Sequence, residues 1–450
     1  MVVPGVPTIQ TYFSTTATIA SWITAAYLIV GGAVSPLFGK LGDTYGKKKM
    51  FLVSLIFYMA GVAMAGMSPS IYFLIIARGL QGIGFAVIPL SFAILTEVFP
   101  REKLGMVQGI ISATYAIGAA AGLIFGSYVI QYLGWQYAFY TTLILSVALF
   151  FVFAKVVPKD ILSPKKKVDY LGASFLMSGI VLLLVYITEG PSFGWLSIEE
   201  VAILSFGAIF TISFFVLERK RTNQLMPLGL LRIRNVLVAN LTIMLAVSVM
   251  LLYFYAVVYY ATNPLGFGLG LGVIAAGLTI APSCLAMIIE GPAIGALMRK
   301  IGPKPVLILG SILQIAGLSL FMVFRATSMD VAVDSVVLLA GTVSILVSVT
   351  NMIAMSLPRE SITVGYGINM MLRNIGGAIG PVVTAVIMTT YASQFVAGGD
   401  PTKLFFANAN AFNIISVVGI AFSILIVALS LIIKNYKFTK SASTVKNNDL

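Results

Sequence analysis

The fold is decided by a short charged loop that reads GKLGDTYGKKK over residues 39–49. The loop separates two apolar stretches, residues 16–38 and 50–67. A helix needs roughly 20 apolar residues to cross a hydrocarbon core about 30 Å thick, so each stretch is long enough for one crossing. Because the same alternation of apolar stretches and short polar turns continues to residue 433, the sequence predicts an all-α polytopic membrane protein.

The composition agrees with a membrane protein and excludes most catalytic chemistry. Of the 450 residues, 59% are hydrophobic and 10% are charged, whereas soluble proteins carry about 25% charged residues. The sequence has no His and one Cys, Cys284, and so it offers no disulfide pair, no Cys/His metal cluster and no Ser/His catalytic pair. We therefore predict that the protein is not an enzyme and binds neither a metal nor a cofactor.

Thirteen apolar spans follow one another along the chain. They are residues 16–38, 50–67, 71–94, 106–128, 136–156, 169–189, 199–217, 235–261, 268–298, 304–323, 332–356, 365–391 and 410–433. Most of the 28 basic residues fall after every second span. Because basic loops stay in the cytoplasm, these segments and the C-terminus are predicted to lie inside the cell. The net charge of +13 is thus a topology signal and indicates no nucleic-acid partner.

The first residues read like the end of a helix whose beginning is absent. The charge alternation assigns residue 1 to the outer face, yet residues 1–10 contain no cleavable signal pattern. The segment VPGVPTI, residues 3–9, resembles the outer end of a membrane helix. The sequence therefore predicts a further helix upstream of residue 1, and a natural thirteen-helix variant is the alternative.

The loop at 39–49 resembles the cytoplasmic motif of the major facilitator superfamily, in which glycines, an acid and a basic run recur at fixed spacing. The residues that match are Gly39, Asp43, Gly46, Lys47 and Lys48. Thr44 departs from the pattern, because the family usually has Arg there. The resemblance implies that Asp43 contacts the positive end of a neighbouring helix in one access state and releases it during switching. The alternative is an ordinary basic loop with turn glycines.

A second motif of the family, Leu-x-x-x-Arg-x-x-Gln-Gly, is similar to residues 74–82 and includes Arg78. An arginine within the membrane costs at least about 2.5–3.5 kcal/mol on insertion scales, and so it tends to face a cavity or a partner. The resemblance implies that Arg78 takes part in proton movement. The alternative is a structural arginine that donates to backbone carbonyls.

The fourth span carries a degraded form of the family's antiporter motif, Gly-x-x-x-Gly-Pro-x-x-Gly-Gly. Gly118, Gly122 and Gly126 are present, whereas Leu123 replaces the proline and Ser127 replaces the last glycine. Small residues at every fourth position also allow close helix packing whatever the function. The departure puts antiport, as opposed to uptake, in doubt.

Two helices near the middle of the chain point to one branch of the family. Residues 168–173 open a helix that ends at 189–195, and a second helix precedes residues 226–228. The pair resembles the two extra helices of the fourteen-helix drug:proton antiporters. The resemblance predicts a major facilitator fold with two pseudo-symmetric helical bundles at 1–157 and 219–434, two inserted helices at 158–218 and a cytoplasmic tail at 435–450.

Glu290 is the one acidic residue that the sequence predicts deep in the membrane. It precedes Arg299 by nine residues, about 13 Å along a helix, and therefore falls near the middle of the core. A poorly hydrated carboxyl that can exchange a proton is what proton coupling requires. We predict that Glu290 and Arg78 couple transport to protons, or that Glu290 recognises a cation. The alternative is a protonated carboxyl bonded to a neighbouring helix, and Asp334 is predicted at the outer mouth of its span.

Aromatic side chains crowd the eighth span and suggest a substrate pocket. Tyr253, Tyr255 and Tyr259 belong to a run with five aromatic residues in eight positions. Such side chains suit a large apolar pocket for cationic or neutral organic molecules, although they also fill lipid-facing surfaces and anchor helix ends. Asn369 and Arg373 form a second polar group, which could instead bind an anionic substrate.

Three functions remain open from the sequence. The leading prediction is proton-coupled export of amphipathic or cationic drug-like compounds by alternating access, with a site near the bilayer midplane between parallel halves. Its rival is a metabolite or organic-anion permease, and a non-transporting membrane sensor or partner comes last. The predicted partners are a small-molecule substrate, protons and the lipid bilayer of the cell membrane, and we expect a monomer.

Overall fold

The computed structural model describes residues 2–98, 101–157, 169–221, 224, 227–357, 362–395 and 404–433. In this part of the chain, long helices follow one another through short turns. The first group comprises α1 (Val6–Tyr12), α2 (Ala17–Tyr45), α3 (Lys47–Gly66), α4 (Ile71–Gly82), α5 (Val87–Val98), α6 (Arg101–Leu133) and α7 (Trp135–Val156). The second comprises α8 (Tyr170–Phe193) and α9 (Ile198–Lys220). The third comprises α10 (Leu228–Leu231), α11 (Arg234–Thr262), α12 (Val273–Ile301), α13 (Pro303–Val323), α14 (Ser328–Ser356), α15 (Ile362–Thr390) and α16 (Ala409–Ile432).

Twelve helices among the described residues are long and apolar enough to cross a membrane. One of them runs over Ile71–Ser91, because a 3-10 turn at Ile83–Ala86 joins α4 to α5. The predicted fourth span falls in α6, a helix of 33 residues whose stretch Ile117–Leu133 is also apolar. Each predicted span therefore coincides with a helix, and the prediction of an all-α multi-pass membrane protein is confirmed.

The two ends of the helix bundle differ in charge. Lys47 starts α3, Lys220 ends α9 and Lys300 lies in the last turn of α12, all at what we call the basic end. Glu199 in the first turn of α9 and Asp330 in the first turn of α14 lie at the opposite end. The helices thus alternate in direction as the basic loops predicted.

The helices before α8 and those after α9 form two halves that meet along two lines. α2 packs against α15, and α6 packs against α12. Within the second half, α11 and α15 approach closely at Gly376, where an added Cβ would lie 2.0 Å from the carbonyl oxygen of Met244. The glycine run of α15 is therefore used for close packing on α11.

The helices α8 and α9 form an antiparallel pair, and α8 also contacts α2 and α15. Asp169 caps α8 by accepting a hydrogen bond of 2.8 Å from the backbone N–H of Gly172. The same carboxylate pairs with Arg221 just after α9. One acidic residue thus fixes the basic end of the pair, and the predicted division of the chain at 158–218 stays a prediction.

Short elements lie before α2 and after α15. A 3-10 turn at Val3–Gly5 leads into α1, whose Val6 and Ile9 are buried in the core. After α15, β1 (Ala392–Phe395) pairs antiparallel with β2 (Leu404–Ala407). This hairpin was not predicted, because four-residue strands carry little periodic signal in the sequence. The predicted tail at 435–450 lies outside the described residues.

Candidate functional site

Arg78 is buried where α4 crosses α2, with 6% of its surface exposed. Its Nε donates a hydrogen bond of 2.9 Å to the carbonyl oxygen of Ile23, and Nη1 donates to Oε1 of Gln81. Its guanidinium carbon lies 4.1 Å from the ring centroid of Tyr27, which is cation–π geometry. Gly82 allows this crossing, because an added Cβ would lie 2.5 Å from the carbonyl oxygen of Tyr27. All of these acceptors are neutral.

A hydrogen bond joins this arginine site to the other half of the protein. Thr24, one turn from Tyr27 on α2, shares a hydrogen bond with the buried hydroxyl of Tyr255 on α11. The ring of Tyr259 lies 6.4 Å from that of Tyr255, and its buried hydroxyl has no partner among the described residues. We call the resulting group the central cluster, and it comprises Thr24, Tyr27, Arg78, Gln81 and Tyr255.

Tyr253 does not belong to the central cluster. Its hydroxyl lies 3.0 Å from the Ser335 hydroxyl and 3.3 Å from the Val331 carbonyl oxygen, both on α14. Two positions on a helix differ by about 200°, so Tyr253 and Tyr255 face different neighbours. The predicted pocket tyrosines are therefore divided between the core of the second half and the interface of the halves.

Asn369 and Arg373 also lie away from the central cluster, nearer the basic end of α15. Asn369 Nδ2 donates a hydrogen bond of 3.2 Å to Oδ1 of Asn240 on α11. Arg373 is half-buried one turn further along α15. The amide of Asn369 thus serves to join two helices of one half, and a substrate role for either residue stays a prediction.

Glu290 is half-buried on α12, eleven residues before the end of that helix at Ile301. It shares a helix face with the buried Ser283, seven residues earlier, and therefore faces protein. Its Oε2 is buried, and the described part of the chain gives Glu290 no hydrogen-bond or salt-bridge partner. The bond to a neighbouring helix that the alternative interpretation required is not found there.

Asp334 is a second acid of the bundle whose burial was not predicted, and its position at the outer mouth of the span stays a prediction. Only 2% of its surface is exposed, and its Oδ2 is buried without a partner in the described residues. It lies six residues into α14. The spacing of Val331, Asp334 and Leu338 on one buried helix face was the sequence signal that could have revealed it.

The loop at 39–49 connects α2 to α3 through Gly46, whose φ of 104° favours glycine. Asp43 approaches Lys47 at 3.9 Å, one turn along the chain. Lys48 donates hydrogen bonds to the carbonyl oxygens of Ala154, at 2.7 Å, and Val157, at the basic end of α7. Lys48 therefore neutralises a helix C-terminus. Asp43 thus contacts the first residue of α3, and the release of this contact during switching stays a prediction.

Hydrogen bonds join the two halves at the end of the bundle opposite the basic end. Thr18 on α2 shares a hydrogen bond of 2.8 Å with Thr389 on α15. Gln131 Oε1 on α6 accepts a hydrogen bond of 2.9 Å from the backbone N–H of Ile274, in the first turn of α12. Since that N–H has no partner within its own helix, Gln131 caps α12 from across the interface.

The contact between α6 and α12 is closest at Gly277. A Cβ added there would lie 2.0 Å from Ser127 Oγ. Gly291 and Gly295 lie on the same face of α12 nearer the basic end, and an added Cβ at either would have no described atom within 4 Å. Among the described residues, the two helices therefore touch at the opposite end.

The three glycines of the antiporter-like motif differ in environment along α6. Gly118 is exposed, Gly122 is partly buried and Gly126 is buried. An added Cβ at Gly118 would meet nothing within 4 Å. The tight helix crossing involves Ser127, the residue that departs from the motif, and a packing role for Gly118 and Gly122 stays a prediction.

Comparisons with known proteins give a family and a fold. A family model described as Major Facilitator Superfamily matches residues 1–381. Multidrug resistance protein 3 of Bacillus subtilis (strain 168) is 33% identical over 202 residues, which are 44% of this chain and 40% of that protein. Multidrug transporter protein MdtP of the same strain is 25% identical over 380 residues, which are 84% of this chain and 70% of that protein. A solved POT family transporter in complex with 5-aminolevulinic acid shares the fold, with a TM-score of 0.65, 15% identity and coverage of 94% of this chain and 90% of that chain.

Proposed function

Since the chain belongs to the Major Facilitator Superfamily and is a multi-pass membrane transporter of small molecules, we propose that it exports amphipathic or cationic drug-like compounds in exchange for protons. The family predicted from residues 39–49 and 74–82 is confirmed by the match. Two relatives named for multidrug resistance and multidrug transport support export of such compounds. The degraded motif on α6 is the feature that argues against antiport.

The central cluster is the observation that carries the proposal. It links a buried guanidinium in the first half to Tyr255 in the second half through Thr24. When the halves separate at the opposite end, this hydrogen bond must break, and the surroundings of Arg78 must change with it. A buried charge whose environment depends on the access state is suited to couple that state to protonation or to a charged ligand.

We assign the basic end to the cytoplasm of a cell-membrane protein, which leaves the C-terminus inside. In this orientation the hydrogen bonds of Thr18 and Gln131 close the outer side. An exporter would load its substrate from this state. Protonation of Glu290 after opening to the outside, and proton release to the cytoplasm, would complete an exchange cycle.

The test is transport of ethidium into inside-out proteoliposomes under an imposed pH gradient. We expect the wild-type protein to accumulate ethidium only while the gradient lasts. Glu290→Gln should lose gradient-driven accumulation and keep downhill movement, because the amide cannot release a proton. Glu199→Gln, an exposed acid at the opposite end, is the matched control and should transport normally. Full gradient-driven transport by Glu290→Gln would contradict the coupling role.

A second candidate function, transport of organic anions, is favoured by the neutral partners of Arg78. No acidic residue of the described part neutralises this guanidinium, and an anionic substrate could do so. Transport assays in the same proteoliposomes distinguish drug export from organic-anion transport. Uptake of an organic anion that ethidium does not inhibit, and that Arg78→Gln abolishes, would support the anion permease.

A further inference from the structure

A cavity of about 450 Å³ opens at the basic end of the bundle. It lies between the last turns of α9 and the short helix α10, which precedes α11. Its walls are formed by Phe215, Arg219, Gln224, Leu228, Gly229, Leu231 and Arg232. This volume falls within the range that binds small organic groups.

The charge of the cavity is positive and unbalanced. Arg219 and Arg232 are both exposed, and the described part of the chain provides neither with a carboxylate. The nearest acid in sequence, Glu218, is wholly buried and does not line the cavity. Asp169 at the same end of the pair is occupied by Arg221. Two guanidinium groups thus face the same cavity. A planar guanidinium can donate hydrogen bonds to two oxygens of one phosphate.

Besides the two arginines and the polar Gln224, the cavity wall contains apolar side chains. Phe215 lies one turn before Arg219 on α9, so it sits on the same helix face and deeper in the membrane. Leu228 and Leu231 extend this apolar surface from α10. Cationic groups at the level of the headgroups, with apolar side chains below them, complement an amphipathic anion and would suit a free phosphate ion poorly.

Gln224, which lines one side of the cavity, is anchored to the first half. Gln224 Nε2 donates a hydrogen bond of 2.8 Å to the carbonyl oxygen of Glu218, and Lys40 on α2 donates to the carbonyl oxygen of Gln224. Gln224 is therefore held at both its amide and its backbone. A cavity with one wall fixed in this way has a defined shape to which a ligand can bind.

We propose that this cavity binds the headgroup of an anionic phospholipid. Arg219 and Arg232 would donate to the phosphodiester oxygens, and the first part of the acyl chains would pack on Phe215 and Leu231. A zwitterionic lipid presents the same phosphate with a compensating ammonium group, and so it should bind more weakly. Basic pockets between membrane helices near the headgroups favour anionic lipids for the same reason.

The proposal is tested by native mass spectrometry of the purified protein titrated with phosphatidylglycerol and, separately, with phosphatidylcholine. We expect the wild-type protein to retain one phosphatidylglycerol in preference to phosphatidylcholine. In the double variant Arg219→Gln and Arg232→Gln, phosphatidylglycerol should bind about 30-fold more weakly, the factor expected for two charges near the membrane surface. Arg234→Gln is the matched control, because this exposed arginine lies outside the cavity walls and should leave binding unchanged.

Two results would overturn the proposal. One is a double variant that binds phosphatidylglycerol as tightly as the wild-type protein. The other is displacement of the lipid by inorganic phosphate at equal concentration, which would identify the cavity as a site for the free ion. If the double variant does not fold, each single variant should weaken binding about fivefold, and no change in either would equally overturn it.

Discussion

The substitution Gly277→Ala tests whether the contact between α6 and α12 controls the access state. In the structure, the new Cβ would lie 2.0 Å from Ser127 Oγ and 2.9 Å from Ser127 Cβ, whereas heavy atoms pack best at about 3.5–4.0 Å. Rotating the hydroxyl away would break its hydrogen bond of 2.7 Å to the carbonyl oxygen of Leu123. Rotating the hydroxyl would leave the Cβ of Ser127 in place, so the two helices must separate to relieve the contact.

The expected magnitude follows from the cost of overpacking a close contact. Inserting a methyl group into a well-packed site costs about 1–3 kcal/mol. The cost arises only in the state in which α6 and α12 touch at the opposite end. The equilibrium constant for separation of α6 from α12 at this end should therefore increase by a factor of about 5 to 150.

The assay is a distance measurement between spin labels at residues 132 and 265, in a protein whose single cysteine is replaced by Cys284→Ala. Tyr132 and Leu265 are 72% and 78% exposed, so labels there should not disturb the packing. Gly277→Ala should increase the population at the longer distance, and adding Ser127→Gly should reverse the increase by removing both contacting atoms. An unchanged distance distribution in folded Gly277→Ala protein, or no reversal by Ser127→Gly, would refute the reasoning.

Three further predictions concern single contacts. Thr24→Val leaves the buried hydroxyl of Tyr255 unpaired and should lower unfolding stability by about 1–3 kcal/mol in thermal melts, with recovery on adding Tyr255→Phe. Gln131→Leu removes the cap of α12 and should raise the longer-distance population of the same label pair about 2- to 10-fold. Gly46→Ala forces alanine to a φ of 104° and should lower the melting temperature, whereas Gly39→Ala, with open space around its Cβ, should not.

The membrane helices could be predicted from the sequence because length and hydropathy decide them. The predicted span 16–38 falls within α2, and 235–261 falls within α11. Apolar continuity carries no information on local geometry, and so the 3-10 turn at Ile83–Ala86 and the short α10 were missed. The hairpin after α15 was missed because its pairing, Ala392 with Ala407, connects residues distant in sequence.

Residues of the candidate site could be predicted from the sequence only where their depth along a membrane helix was sufficient to identify them. Arg78 was predicted within a membrane span, and it lies in α4, seven residues after its start at Ile71. The spacing of Tyr253 and Tyr255 places them on different faces of α11, but which face meets the first half was not available from one sequence. The contact between Ser127 and Gly277 requires knowing which faces of two distant helices meet, and no spacing within either helix encodes that.

The hydrogen bonds that join the two halves in this state set the free energy that coupling must supply. Those of Thr18, Thr24 and Gln131 with their partners, at about 0.5–1.5 kcal/mol each, favour the closed state by about 1.5–4.5 kcal/mol. A proton or substrate must therefore bind the open state about 10- to 2,000-fold more tightly to balance them. Glu290 lies 13 residues beyond Gly277, about 20 Å along α12, and cannot touch these bonds directly. Its protonation can act on these hydrogen bonds only by moving α12 as a rigid element against α6. The close contact at Gly277 is where such a movement would be felt.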